Sequence, residues 1–109
     1  MSSGARAAAL ALALAACGSK AREPRTHHVE ISAMQYAPAE LVVAVGDTVI
    51  WTNRDVVPHT VTTAAGSPVA FDSQMIEGQR QWQYKVTAAG ELPYVCTYHP
   101  TMLGKLTAR

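Results

Sequence analysis

The chain has 109 residues, enough for one domain and not for two. Its formal net charge of +1 and pI near 7.8 give no strong field, which argues against nucleic acid or an acidic substrate as a partner. The hydrophobic share of 49% overstates the core, because much of it lies in one alanine–leucine run at the start.

That run comes first in chain order. Residues 1–17 read MSSGARAAALALALAAC, with Arg6 before an apolar stretch from Ala7 to Ala16. The stretch is too short for a hydrocarbon core, which takes about 20 helical residues. A basic start, a short apolar centre and small residues at the end fit a secretory signal peptide over 1–16. Leu14-Ala15-Ala16-Cys17 also resembles the lipobox of bacterial lipoproteins, which implies lipidation of Cys17 and a membrane anchor in the periplasm or cell envelope. The alternative is an ordinary signal cleaved near Ala16, with Cys17 incidental. Residues 17–26 are polar, carry one proline and read as a flexible tether, which leaves 27–109 as the domain. Cys96 is then a lone cysteine in an oxidising compartment. A Cys17–Cys96 disulfide is one explanation and metal ligation is another.

Past the tether the chain shows β signals and almost no helical periodicity. HHVEIS alternates, with Val29 and Ile31 on one face. Leu41–Val45 and Thr48–Trp51 are β-branched runs broken by the turn signal Gly46-Asp47. HTVTTA follows, then QRQWQYKV, which places Trp82, Tyr84 and Val86 on one side. ELPYVCT and GKLTAR complete the series. About seven or eight short strands separated by turns read as an antiparallel sandwich. Residues 64–79, broken by Gly66, Pro68 and Gly78, carry no clear pattern.

The chemistry concentrates in CTYHPTM, where Cys96, His99 and Met102 stand three apart. Thiolate and thioether are soft donors and imidazole is borderline. Two histidines, one cysteine and a weak methionine make the blue-copper set, whereas zinc rarely takes a thioether. The second histidine has to come from His27, His28 or His59. His59 follows Pro58 at the mouth of a β-branched run, whereas His27 and His28 adjoin the tether and read as exposed. Taken singly, each residue has a plainer reading: a strand-end histidine, a turn histidine, a core methionine, a small buried cysteine.

GDTVIWTNRDVVPHTV, followed 37 residues after its histidine by CTYHPTM, resembles the small cupredoxins of the plastocyanin type, amicyanins most closely. The resemblance implies a Greek-key β-sandwich that holds one type 1 copper ion. His59, Cys96 and His99 would be its equatorial ligands and Met102 its axial one, with Asn53, Thr60 and Thr97 supporting them. The implied function is one-electron carriage, with no enzyme activity, by a monomer that touches redox partners such as a c-type cytochrome or a dehydrogenase. Val57, Pro58, Pro100 and Thr101 would rim the docking face around His99. The competing role is copper buffering or delivery in the envelope. Departures from the family pattern are Thr60 where asparagine is common, Tyr98 where proline is frequent, and Thr101 where amicyanin has phenylalanine.

Overall fold

The computed structural model describes residues 22–109, so the expected signal peptide and Cys17 lie outside the described residues. Eight strands run β1 (Thr26–Ser32), β2 (Gln35–Ala37), β3 (Glu40–Val43), β4 (Thr48–Asn53), β5 (Thr62–Thr63), β6 (Gln81–Lys85), β7 (Gly90–Val95) and β8 (Leu103–Ala108). They form two four-stranded sheets, β2-β1-β4-β6 and β3-β8-β7-β5. No helix occurs among the described residues, and the all-β sandwich is as expected.

The pairing differs from the expectation in one respect: both sheets are mixed. β1 runs parallel to β4 with Val29 opposite Trp51, and β3 runs parallel to β8 with Leu41 opposite Leu106. Turn signals report chain neighbours, which pair antiparallel. Parallel partners meet only after the chain has crossed elsewhere.

Period-two alternation decides what is buried. Val29, Ile31, Val49, Trp51, Leu92, Tyr94 and Leu106 all point inward and are buried. Trp82 and Tyr84 flank this core from β6, half-buried, on the face that their spacing indicated. Phe71 and Ile76, from the patternless segment, also enter the core. Tyr94 packs over β8 because position 104 is glycine: a Cβ there would collide with the ring.

At one end of β4 the chain is fastened by Asp47. Gly46, at φ 99°, lets Asp47 close the turn from β3 with its N–H on the Ala44 carbonyl. The buried carboxylate then accepts the N–H groups of Arg25 at 2.9 Å and Ala44 at 3.0 Å, the Arg22 guanidinium at 2.9 Å, and His27 Nε2 at 2.8 Å. One expectation is corrected here: His27 is half-buried and paired, and of the two only His28 is exposed. Arg22 pairs with Asp47, and Thr26 is the first residue of β1.

Candidate metal centre

The metal site forms at the other end of the sandwich, where β4, the 53–62 segment and the β7–β8 connection converge. CTYHPTM is the whole of that connection, since Val95 pairs with Leu103. The loop is braced from within. Cys96 N–H donates to the Met102 carbonyl at 3.2 Å, Met102 N–H to the His99 carbonyl at 2.9 Å, and His99 N–H to the Cys96 carbonyl at 3.3 Å. Three-residue spacing of the loop's three donor residues is therefore the spacing of its own turns.

His59 reaches the site from a short bridge with Ile76, closed by two backbone hydrogen bonds, and is fully buried. Its Nδ1 lies 3.8 Å from Cys96 Sγ, and His99 Nδ1 lies 3.7 Å from the same sulfur. All three donor atoms fall within 4.8 Å of one another. Metal bonds of about 2.3 Å to thiolate and 2.0–2.1 Å to imidazole put sulfur and nitrogen about 3.7–3.8 Å apart at 120°, against about 3.5–3.6 Å at a tetrahedral angle. Spacings of 3.8 and 3.7 Å let the two imidazole nitrogens and the sulfur bind one ion, and two histidines with one cysteine are the donor set of a copper site. Cys96 and Met102 are buried, while His99 is partly exposed. His27 and His28 are not brought to the site, and Met34 and Met75 are surface residues.

The supporting residues expected from the sequence all make contacts here. Thr60 Oγ1 accepts Thr97 N–H at 2.9 Å and lies 3.3 Å from the Thr97 hydroxyl, so it ties the two ligand segments together. Thr60 N–H points at Cys96 Sγ at 3.4 Å. Asn53, fully buried, donates to the carbonyls of Val57 and Ile76 and accepts Asp55 N–H at 2.9 Å, which fixes the path into His59.

Asp55 was not anticipated. Its carboxylate meets His59 Nε2 at 2.8 Å and accepts the N–H groups of Ala33 at 2.8 Å and Met34 at 3.0 Å. Ala33 and Met34 form the β1–β2 turn with φ of 53° and 62°, a conformation that non-glycine residues seldom adopt without such partners. Burial works to raise the Asp55 carboxyl, but Met34 N–H, the His59 ring and Ala33 N–H outweigh it and hold it below its usual range. A carboxylate on Nε2 keeps that nitrogen as the donor and leaves Nδ1 free for a metal. The available sequence signal was an acid four residues before the ligand histidine.

Val57, Pro58, Pro100 and Thr101 are exposed, as are Val56 (91%) and Tyr98 (46%).

Comparison with known proteins matches this geometry. The amicyanin of Paracoccus denitrificans is 41% identical over 80 residues, which cover 72% of this chain and 61% of the relative, about three-fifths of its length. A Cu(I) structure of an amicyanin variant superposes with a TM-score of 0.71 at 35% identity, covering 84% of this chain and 88% of that one. The copper-containing nitrite reductase of Thermus scotoductus superposes at 0.73 and 26% identity, but this chain covers only 24% of it. Residues 25–109 match the family described as copper binding proteins, plastocyanin/azurin family. The chain belongs to that family, and His59, Cys96, His99 and Met102 are positioned as its copper site.

Proposed function

We propose that the protein is a type 1 copper electron carrier of the bacterial cell envelope. The observation that carries this reading is one buried sulfur, Cys96 Sγ, with two imidazole nitrogens at 3.8 and 3.7 Å in a braced loop. His59, Cys96, His99 and Met102 would hold the ion, three of them gathered within 4.8 Å of one another and the fourth buried in the same loop. Copper, cycling between Cu(I) and Cu(II), supplies the one-electron step. The protein's own part is to hold the donors still: Asp55 orients His59, Thr60 links the ligand segments, and the β7–β8 hairpin sets the loop. With every donor position filled from the chain, no place remains for a substrate, so the protein is a carrier and not an enzyme.

Electrons pass at the partly exposed edge of His99. Val57, Pro58, Pro100 and Thr101 form the surface on which a c-type cytochrome or a dehydrogenase docks briefly, in the manner of small transient interfaces. Such a carrier works as a monomer. The signal-like residues 1–16 and the lipobox cysteine Cys17 support export and anchoring to a membrane through lipid.

The test is a visible spectrum after addition of Cu(II). A strong thiolate-to-copper band that disappears in Cys96→Ser is expected, and a colourless protein would overturn the reading. Rapid electron exchange with a cytochrome separates carriage from copper buffering, which predicts instead fast loss of Cu(I) to a chelator.

A further inference from the structure

A continuous line of aromatic side chains runs from the β6 surface to the metal site, and neither ligation nor docking at His99 uses it. On β6, Trp82 and Tyr84 stack with ring centroids 6.1 Å apart at 18°. Trp82 lies 5.6 Å from Trp51, which is fully buried on β4. Trp51 donates its indole N–H to the Tyr94 hydroxyl at 3.2 Å, and the two rings meet edge-on at 5.5 Å. Tyr94 in turn packs edge-on against Tyr36 at 4.7 Å. Tyr36 gives its hydroxyl hydrogen to the Thr60 carbonyl, and Thr60 N–H points at Cys96 Sγ at 3.4 Å. Ring contacts and hydrogen bonds span the whole distance. At the outer end, half-buried Trp82 lines a surface hollow of 240 Å³ with Met75, Ile76, Glu77 and Arg80.

We propose that this line is a second electron route, through which an oxidising hole formed at Trp82 is filled from Cys96 and the copper it holds. The route rests on the copper-carrier reading above. Its chemistry selects the tryptophans as resting places for the hole, because an indole can lose one electron and keep its proton. The tyrosines serve as bridges. The Tyr36 hydroxyl donates to the Thr60 carbonyl, an amide oxygen that cannot take its proton.

The electrons balance without any bond change in the protein. A strong one-electron oxidant in the hollow, such as the carbonate radical anion, takes one electron from Trp82 and leaves as carbonate. Trp51 passes one electron to Trp82. One electron from Cu(I), by way of Cys96, Thr60, Tyr36 and Tyr94, then restores Trp51. The net change is reduction of the oxidant and oxidation of Cu(I) to Cu(II), which a redox partner reverses. The result is protection of the core tryptophans from oxygenation.

The test uses the Cu(I)-loaded protein with tris(bipyridine)ruthenium(III) generated by a laser flash. A tryptophan radical should appear and decay as the Cu(II)–thiolate band grows. Trp82→Phe, which keeps an aromatic ring at a half-buried site, should slow that growth by about tenfold or more, equivalent to a barrier about 1.4 kcal/mol higher. Copper-free protein should instead accumulate oxygenated Trp82, read by peptide mass spectrometry. Unchanged growth of the band in Trp82→Phe would overturn the route, as would equal oxygenation of Trp82 with and without copper. A protein that shows no thiolate band when first loaded with Cu(II), before reduction for the flash experiment, would overturn the copper reading itself, which separates the two failures.

Discussion

Two aspartate–histidine pairs sit at opposite ends of β4, each closed at 2.8 Å, and they do different work. Asp47 stands just before the strand and spends its carboxylate on N–H groups and side chains of the incoming chain, with His27 as one partner among several. Asp55 stands just after the strand and holds a buried histidine whose other nitrogen faces a cysteine sulfur. The same interaction is a fastening at one end and an orienting device at the other. The difference lies in what the histidine's second nitrogen can reach.

The largest expected effect comes from removing the orienting pair. Asp55→Ala leaves the buried Nε2 of His59 and the N–H groups of Ala33 and Met34 without their acceptor. Loss of a partner behind a metal-bound histidine typically costs about 10–100-fold in metal affinity. Competition for Cu(I) against a calibrated chelator should show a loss of that size. The matching change at the other end, Asp47→Ala, should lower Tm by several degrees yet leave the copper spectrum and affinity unchanged. If Asp47→Ala weakened copper as much as Asp55→Ala does, the distinction between the two ends would fail.

Acid offers a finer test of the Asp47 end. The N–H of Arg25, then His27, with Ala44 and Arg22 in support, hold the Asp47 carboxyl well below the usual carboxylate range, against the opposing effect of burial. The folded state therefore binds fewer protons at this group than the unfolded state does near pH 4. Its contribution to stability is complete above about pH 4 and drains away as the pH falls toward the folded-state value. Urea midpoints of the metal-free protein should fall with acid below about pH 4, and Asp47→Asn should flatten that fall. Curves that stay parallel would show that Asp47 does not set the acid limb.

The two ends were not equally legible in the sequence, and the reason is locality. Cys96, His99 and Met102 occupy one loop, so their chemistry and spacing could be read directly. His59 stood out because a proline and a β-branched run flank it. Val29, Ile31, Trp82 and Tyr84 showed their faces through alternation. His27 looked like a tether residue because its partner, Asp47, lies 20 positions away behind a turn. Asp55 looked like an ordinary polar loop residue, since its acceptor role joins His59 to the β1–β2 turn, which only the folded chain brings near. Parallel pairing of β1 with β4 and β3 with β8 was hidden for the same reason, as were Phe71 and Ile76, isolated apolar residues in a segment without period.

The smallest effect sharpens the comparison within the metal end itself. Thr60 is nearly fully buried, and its hydroxyl accepts Thr97 N–H at 2.9 Å and also pairs with Thr62 at 2.9 Å. Thr60→Val keeps the shape and removes the acceptor. Thr97 is exposed, so water can take over its N–H, and the loss should sit near the low end of about 0.5–1.5 kcal/mol per hydrogen bond. The same change loosens the start of the Cys96 loop without touching a ligand, so the thiolate-to-copper band should shift while copper affinity stays within a few-fold. Thr60→Asn, which restores an acceptor at this position, should return the band toward its original place. A band that is unmoved in Thr60→Val would show that the internal turns of residues 96–102 hold Cys96 unaided, and that Asp55 is the one tie at this end that the copper site requires.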